Sequence, residues 1–202
     1  MGVTVAMEDG AALARVLPDV ARLRVTVFRA WPYLYDGTEA YETKYLETYV
    51  KAPGAGIAVA RDGSAVVGAS TCLPMPDAGA EVRAPFEAAG LHPADFFYFG
   101  ESVLLPAYRG TGVGVRFFEL REARARHSGR ARFAAFCAVQ RPPTHPLRPA
   151  DAVGLELFWA HRGFTRRPDL VCRMAWKDID TPGETEKTLT FWLKSLHGDK
   201  LP

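Results

Sequence analysis

Residues 99–118 have the sequence FGESVLLPAYRGTGVGVRFF. The apolar run from Ser102 to Leu105 indicates a strand, and the turn after it leads through several glycines into an amphipathic helix. Backbone N–H groups at a helix start have no partner inside the helix, and the helix dipole makes them attractive to anions. Glycine lets an anion approach the backbone closely. The segment therefore predicts a pyrophosphate-binding turn.

The glycine spacing separates three kinds of phosphate-binding turn. A P-loop needs Lys followed by Ser or Thr after its second glycine, and this pair is absent here. The dinucleotide pattern G-x-G-x-x-G fails, because Val115 and Phe117 stand at the two positions where its last glycine would fall. The third pattern follows a strand that ends in Pro, and here it is Arg109-x-x-Gly112-x-Gly114. A turn whose glycines serve only packing is the alternative.

The composition is that of an ordinary globular chain, since 48% of its 202 residues are hydrophobic and 24% are charged. This length fits one domain. A formal net charge of +2 gives no reason to expect a nucleic-acid partner. Cys72, Cys137 and Cys172 lack C-x-x-C spacing, so neither a disulfide framework nor a metal site is expected. Without an apolar run of about 18 residues or a signal-peptide pattern, we expect a cytoplasmic protein with no membrane partner.

Hydrophobic spacing and turn residues divide the chain into helices and strands. Predicted strands cover residues 3–6, 56–60, 65–73, 96–105, 132–139 and 170–176. Predicted helices cover residues 11–30, 38–50 (capped by Thr38), 113–128 and 152–162. Residues 74–95 are expected to form a loop with one short helical turn, and the proline-rich residues 140–150 form another loop. This order indicates an α/β fold with a mixed sheet.

Two motifs in this order resemble those of the GNAT N-acetyltransferase family. The turn Arg109-x-x-Gly112-x-Gly114 is similar to the family's acetyl-CoA-binding motif, and LFWAHRGF at residues 157–164 resembles the end of the family's late helix. The resemblance covers residues 3–177 and implies a central mixed, mostly antiparallel sheet, splayed at the cofactor site and flanked by helices. It divides the chain into a GNAT domain, 1–177, and a C-terminal extension, 178–202.

The resemblance implies acetyl-CoA as the cosubstrate, and no metal. The backbone of the turn would hold the pyrophosphate, with Arg109 near the phosphates. The strand before the turn would offer main-chain hydrogen bonds to the pantetheine arm, and an N–H of Val103 or Leu104 would stabilise the oxyanion. The cofactor-binding residues expected on this basis are Val103, Leu104, Leu105, Arg109, Gly110, Thr111, Gly112, Val113 and Gly114.

Glu101 interrupts an apolar strand just before this track, where the family often has a carboxylate. It is either the base that deprotonates an amine, whose pKa is near ~10.4, or a structural, salt-bridged group. The family's catalytic Tyr aligns with Trp159, and an indole N–H is not a useful acid. Tyr108, His145 and His161 are candidates for the acid, and departure of CoA as a thiolate is the alternative.

The acceptor side has a first candidate in residues 28–35, FRAWPYLY. Trp31, Tyr33 and Tyr35 either line an amphipathic loop over an acceptor cleft or pack into the core at the end of a helix.

The proline-rich loop 140–150 is the second candidate. Arg141, His145 and Arg148 could present positive charge to a carboxylate or phosphate of the acceptor. The alternative is a stiff surface loop in which Arg148 pairs with Asp151.

Residues 188–196, TLTFWLKSL, carry apolar side chains at i, i+3, i+4 and i+7, which predicts an amphipathic helix. The apolar positions are Leu189, Trp192, Leu193 and Leu196. Such a helix packs on its own domain or forms the interface of a homodimer.

Together these features predict an enzyme that moves an acetyl group from acetyl-CoA to an amine of a small molecule. A non-catalytic acyl-CoA sensor on the same fold is one alternative, because Trp159 replaces the family's Tyr. Acetylation of a protein or peptide amine is another, and it predicts an open acceptor groove rather than a closed aromatic pocket.

Overall fold

The computed structural model describes residues 2–202, which form seven strands and five α-helices. The strands are β1 (Thr4–Glu8), β2 (Gly56–Asp62), β3 (Ala65–Pro74), β4 (Phe96–Leu104), β5 (Phe133–Val139), β6 (Thr165–Lys177) and β7 (Glu184–Ser195). The helices are α1 (Ala11–Phe28), α2 (Glu39–Lys51), α3 (Ala80–Ala88), α4 (Val113–His127) and α5 (Glu156–Ala160). Short 3-10 turns lie at Met75–Asp77, Pro93–Asp95 and Pro106–Tyr108.

All strands belong to one sheet with the order β1-β2-β3-β4-β5-β7-β6. Only β4 and β5 are parallel, and every other neighbouring pair is antiparallel. The expected mixed, mostly antiparallel α/β architecture is therefore confirmed. One face of the sheet packs against α1, α2 and α3, and the other against α4 and α5. We call these the α1–α3 face and the α4–α5 face.

Two helices begin and continue as their sequences predict. The Thr38 hydroxyl accepts a hydrogen bond from the N–H of Tyr41 (3.3 Å), which confirms it as the N-cap of α2. In α1, Leu13, Val16 and Val20 are buried at helical spacing. Both helices lie over β2, β3 and β4, and so position their side chains on the α1–α3 face. Among residues 2–202, no helix is long and apolar enough to cross a bilayer.

The helix predicted over residues 188–196 is wrong, because this segment belongs to β7. That strand lies between β5 and β6 and pairs with both. Leu189 and Phe191 pack on the α1–α3 face, whereas Trp192 packs on the α4–α5 face. A central strand is buried on both faces and so loses the alternation that marks a half-buried strand, and its apolar run imitated helical spacing. The predicted boundary at residue 177 falls at the end of β6.

Residues 74–95 contain more regular structure than the single turn predicted for them. Within this segment α3 packs Val82 and Phe86 into the core, and the Phe86 ring lies 4.7 Å from that of Phe96. Pro85, inside this helix, was the misleading signal. Conversely, α5 covers only residues 156–160 of the helix predicted over 152–162.

The sheet splays between its two parallel strands. Pairing of β4 with β5 extends only from Phe96↔Phe133 to Tyr98↔Ala135. Beyond these pairs β4 continues to Leu104 and β5 to Val139, and the two strands no longer pair with each other. This gap, which we call the splay, exposes one edge of β4 and confirms the predicted opening of the sheet.

Candidate active site

A β-bulge in β4 turns Glu101 towards the helices of the α1–α3 face. Phe99 pairs with Cys72 and Ser102 with Ser70, so Gly100 and Glu101 together oppose the single residue Thr71. In an unbroken strand Glu101 would share a face with Phe99, which packs on the α4–α5 face. The extra residue reverses the alternation, and Glu101 faces α1 and α2 instead.

Gly100 is required by the close packing around this bulge. A Cβ atom at that position would lie 2.3 Å from the Tyr49 hydroxyl oxygen and 2.4 Å from Thr71 Oγ1. Thr71 Oγ1 donates to the Tyr49 hydroxyl (2.8 Å) and accepts from the N–H of Glu101 (3.2 Å). The Thr71 hydroxyl thus replaces a ladder hydrogen bond that the bulge removes, and its bond to Tyr49 holds it in place next to Glu101.

The Glu101 carboxylate is 8% exposed and pairs with Arg24 of α1. Arg24 Nη1 lies 2.7 Å from Glu101 Oε2, and the Tyr49 hydroxyl is 3.5 Å from the same oxygen. Glu101 Oε1 has no hydrogen-bond partner among residues 2–202. The carboxylate is therefore held in place through one oxygen, and the other oxygen is buried without a hydrogen-bond donor.

Four phenols lie on the α1–α3 face, and those of Tyr33, Tyr45 and Tyr49 are close enough to interact with the charge of Glu101. The fourth belongs to Tyr98. Burial raises the pKa of each phenol above its ordinary value, so all four are neutral at physiological pH. The Tyr98 hydroxyl also reaches across the start of the splay to Cys137 Sγ of β5, at 3.3 Å. The site thus combines a charged carboxylate with neutral hydroxyl groups.

The predicted anion-binding turn follows β4 and leads into α4, on the face of the sheet opposite to the Glu101 side chain. Gly110 and Gly112 have φ angles of +76° and +88°, in the left-handed region that favours glycine. A Cβ atom at either glycine would meet nothing within 4 Å, so the turn is open to a ligand. Thr111 Oγ1 donates to the Tyr108 carbonyl (2.6 Å) and braces the turn. No acidic residue occurs in the first turn of α4, which leaves the dipole available to an anion.

The open edge of β4 presents alternate backbone groups to the splay. The N–H of Leu105 donates to the carbonyl of Val67 in β3 (3.0 Å), so alternation turns Val103 towards β3 and Ser102 and Leu104 towards the splay. The Leu104 carbonyl accepts from Arg109 Nε (3.3 Å), as its orientation requires. Of the two N–H groups expected from the sequence as oxyanion donors, that of Leu104 faces the splay and that of Val103 faces β3. The sequence did not identify Ser102 as a residue whose backbone faces the splay, because that orientation depends on the bulge in β4.

Arg141 is a structural residue and is not open to the acceptor as the sequence suggested. It donates two hydrogen bonds to Asp178, of 2.7 and 2.9 Å, and others to the carbonyls of Pro32 (2.8 Å) and Tyr33 (2.6 Å). These bonds attach the aromatic loop, residues 31–35, to the end of β6. The Tyr33 ring packs 4.4 Å from that of Phe28, so the loop both lines the face and packs into its core.

Tyr108 lies away from Glu101. Its hydroxyl donates to Asp62 Oδ2 (2.9 Å), at the turn of the β2–β3 hairpin. Asp62 pairs with Ala65, six residues along β3 from Thr71, which corresponds to about 20 Å of strand. The structure therefore does not bring this phenol to the carboxylate, contrary to its expected role as acid.

The other candidate side chains are distributed as follows. The His145 ring lies 5.5 Å from that of Trp31, and its Nδ1 accepts from the N–H of Leu147 (3.2 Å), so it belongs to the aromatic loop region. Arg148 is exposed and donates within its own loop, to the carbonyl of Ala152 (3.5 Å), rather than to Asp151. His161 is exposed beyond α5.

Trp159, which the resemblance predicts to stand in place of the family's Tyr, lies on the α4–α5 face. Its ring lies 5.0 Å from Phe136 and 5.2 Å from Trp192, on the α4–α5 face. It therefore packs in an aromatic cluster and presents no acidic group to the splay.

Comparison with known proteins identifies the fold. No protein-family model and no curated protein matches the chain. A protein from Salmonella typhimurium, solved with its cofactor acetyl-CoA, matches at 14% identity over 100% of this chain and 98% of the other, with a TM-score of 0.59. A GNAT-family acetyltransferase from Streptococcus pneumoniae matches at 12% identity over 96% of this chain and 99% of the other, with a TM-score of 0.55. A GNAT-like decarboxylase in complex with isobutyryl-CoA matches at 19% identity over 96% of this chain and 100% of the other, with a TM-score of 0.59. The chain has the GNAT acetyltransferase fold.

Proposed function

We propose that this protein is an acetyl-CoA-dependent N-acetyltransferase that acts on a small amine. The observation that carries the proposal is the splay, which has an open glycine turn on one side and the half-free carboxylate of Glu101 on the other. A donor that enters along β4 therefore meets an acceptor held on the α1–α3 face. A GNAT fold, whose solved examples include complexes with acetyl-CoA and isobutyryl-CoA, supports the same reaction class.

The residues of the turn fit a pyrophosphate group. The N–H groups of Val113, Gly114 and Val115 lie in the first turn of α4, where no intrahelical acceptor exists for them. They bind the phosphate oxygens at the positive end of the helix dipole, and the exposed Arg109 adds a charged donor.

The open edge of β4 orients the donor. Backbone groups of Ser102 and Leu104 bind the amides of the pantetheine arm, as an added strand would. The amine attacks the thioester carbonyl carbon of acetyl-CoA, so that the C–N bond forms, the C–S bond breaks and CoA leaves as a thiolate. The N–H of Leu104 or Ser102 stabilises the negative charge that develops on the carbonyl oxygen.

Glu101 receives the acceptor. Its Oε1 binds the amino group and takes a proton from it, while Arg24 holds Oε2 and keeps the carboxylate oriented. The indole of Trp159 is not a useful acid, so no proton reaches the leaving sulfur of CoA from that position. The aromatic loop and the neutral phenols around Glu101 favour a small acceptor over a polypeptide, which would need an open groove.

Calorimetry with acetyl-CoA tests the donor half of the proposal. In Gly112→Ala the new side chain has space, but the positive φ costs about 1–2 kcal/mol and distorts the first turn of α4. We expect acetyl-CoA affinity to fall at least 10-fold. Gly129→Ala is the matched control, since Gly129 also has a positive φ (+68°) and open space but lies at the other end of α4.

Thiol release with acetyl-CoA and a panel of amines tests the acceptor half, with Glu101→Gln measured alongside. We expect turnover of at least one amine and a loss of at least 100-fold in kcat in the variant, in the range of a lost general base. Absence of acetyl-CoA binding to the wild-type protein would refute the proposal. Binding without thiol release from any amine would favour the sensor instead.

A further inference from the structure

Three ionisable side chains are buried together on the α1–α3 face. Arg24 of α1, Glu42 of α2 and Glu101 of β4 are only 9%, 0% and 8% exposed. Arg24 Nε donates to Glu42 Oε2, while Arg24 Nη1 lies 2.7 Å from Glu101 Oε2. We call these residues the Arg24 cluster. One cation and two carboxylates leave the cluster with a net charge of −1.

Each carboxylate of the cluster uses only one of its oxygens. Glu42 Oε1 and Glu101 Oε1 are buried and have no hydrogen-bond partner among residues 2–202. An ionised carboxylate can accept several hydrogen bonds, and burying it without donors is costly. The two free oxygens therefore lack hydrogen-bond donors, and the cluster lacks one positive charge. An ammonium group, which has one charge and N–H donors, supplies both.

Aromatic side chains complete the surroundings of the cluster. The Arg24 guanidinium carbon lies 4.5 Å from the centre of the Tyr45 ring and 4.9 Å from that of Phe28. Tyr35 lies on the Glu42 side, and its pKa is raised first by burial and then by the Glu42 carboxylate. Neutral phenols accept hydrogen bonds from cations, and ring faces attract them. Tyr35 is half-buried and Tyr45 is 37% exposed, so the cluster lies just beneath the surface.

Two buried cations beside the aromatic loop, Arg141 and Lys187, are already used by protein acceptors. Arg141 donates to Asp178 and to two backbone carbonyls. Lys187 Nζ lies 3.1 Å from Asp178 and donates to the carbonyls of Trp176 and Thr185. A carboxylate on the acceptor would therefore compete with Asp178 for these cations and would lie near the net-negative Arg24 cluster.

From this balance of charge we propose that the acceptor is a cationic amine without a carboxylate beside its amino group, such as an alkylamine, an arylalkylamine or a polyamine. This inference rests on the proposed function and deepens it. The free oxygens of Glu101 and Glu42 bind the ammonium group, and the phenols around them bind the chain that carries it. An α-amino acid is disfavoured, because its carboxylate meets the two carboxylates of the Arg24 cluster, while the buried cations Arg141 and Lys187 are already paired with Asp178.

Decarboxylated pairs of compounds test the proposal directly on the wild-type protein. Tyramine is compared with tyrosine, agmatine with arginine and cadaverine with lysine, each by thiol release and by calorimetric binding to the CoA-saturated protein. We expect the amine to exceed its amino acid at least 10-fold in kcat/KM or in affinity, in at least one pair and with no pair reversed. Equal or reversed preference overturns the proposal, and so does a panel in which no amine reacts or binds.

Glu42→Gln tests the part played by the second carboxylate. It keeps the shape of the side chain and its contact with Arg24, and it changes the net charge of the cluster from −1 to 0. We expect the dissociation constant of the preferred amine to rise at least 10-fold while that of acetyl-CoA is unchanged. Glu39→Gln is the matched control, because Glu39 lies in the same helix and is exposed.

The outcomes separate this inference from the proposed function. If Glu42→Gln leaves amine binding unchanged, the role of Glu42 is overturned, whatever the catalytic activity. Circular dichroism establishes whether the variant folds, and if it does not, the wild-type pairs decide. If the wild-type protein binds acetyl-CoA but prefers amino acids, the proposed function stands and this inference is overturned. If the wild-type protein binds no acetyl-CoA, the proposed function is overturned.

Discussion

The Arg141 guanidinium meets the Asp178 carboxylate through two hydrogen bonds, of 2.7 Å to Oδ2 and 2.9 Å to Oδ1. Both side chains are almost fully buried. Because Arg141 also binds the carbonyls of Pro32 and Tyr33, this pair connects the loop after β5, the end of β6 and the aromatic loop. Three segments that are distant in sequence are thereby fixed at one side of the candidate acceptor site.

Asp178→Asn should destabilise the protein and loosen the aromatic loop. It leaves Arg141 and Lys187 buried without their counter-ion, which costs about 3–5 kcal/mol. We expect this loss in urea denaturation, together with a higher KM for the amine and an unchanged KM for acetyl-CoA. Asp180→Asn, an exposed neighbour, is the control. A rise in the KM of acetyl-CoA alone would contradict this role for the pair.

The same pair should make stability depend on acid. Burial opposes ionisation of Asp178, but the hydrogen bonds from Arg141 and Lys187 outweigh it and lower the pKa of that carboxyl. The pair therefore stabilises the folded state above the ordinary pKa of Asp, near ~3.9, and the contribution is lost as the pH falls below it. We expect the stability difference between wild type and Asp178→Asn to shrink below about pH 4. A constant difference from pH 7 to pH 3 would argue against ionised Asp178.

Local chemistry made the glycine turn and the α2 cap predictable from the sequence. Gly112 is at a positive φ and Thr38 caps a helix because of rules that act within a few residues. The position of β7 and the partners of Glu101 and Arg141 depend instead on contacts across the fold. Glu101 was predicted as either base or salt-bridged group, and the structure shows the salt bridge. Its pairing with Arg24, 77 residues away (101 − 24), has no local signal.

The β4 bulge was also outside the reach of sequence patterns. A strand pattern specifies alternation, whereas a bulge reverses it at one residue, and only pairing with β3 reveals where. For this reason Ser102 was overlooked as a residue facing the splay, and Val103 was included.

Gly100→Ala should impair catalysis by displacing the bulge. The new methyl group would lie 2.3 Å from the Tyr49 hydroxyl and 2.4 Å from Thr71 Oγ1, so one of these groups must move, and Glu101 with it. We expect kcat to fall about 10- to 100-fold, as misplacement by 1 Å does, and stability to fall by about 1–3 kcal/mol. Gly183→Ala, where a Cβ meets nothing within 4 Å, should change neither. Wild-type kcat in Gly100→Ala would separate the bulge from catalysis.

Phe191→Ala should show that β7 is part of the core. Phe191 is 0% exposed, and its ring lies 4.8 Å from that of Phe86 in α3. Truncating such a side chain costs about 3–5 kcal/mol. Leu157→Ala, at a position 75% exposed, should stay within about 0.5 kcal/mol of wild type in the same denaturant series. Equal effects of the two substitutions would be at odds with a central β7.

Arg121→Met should stabilise the protein at neutral pH. Arg121 of α4 is 1% exposed, lies 4.5 Å from the ring of Phe99, and has one guanidinium nitrogen without a partner among residues 2–202. Burial lowers its pKa to about 10, so the folded state pays for the charge below that pH. Replacing a buried charge with an apolar side chain of similar volume gains about 1–4 kcal/mol.

The pH dependence of this gain identifies its cause. Burial lowers the pKa of Arg121 in the folded protein, while in the unfolded chain the guanidinium keeps its proton to higher pH. The free energy of unfolding of the wild type should therefore rise relative to that of Arg121→Met between pH 9 and pH 11. The stability advantage of the variant should become smaller over this range. Arg116→Met on the same helix, where the side chain is 52% exposed, is the control and should show no such change. A less stable Arg121→Met at pH 7 would mean that the cation is balanced by Glu101 and the other charges around it rather than stranded.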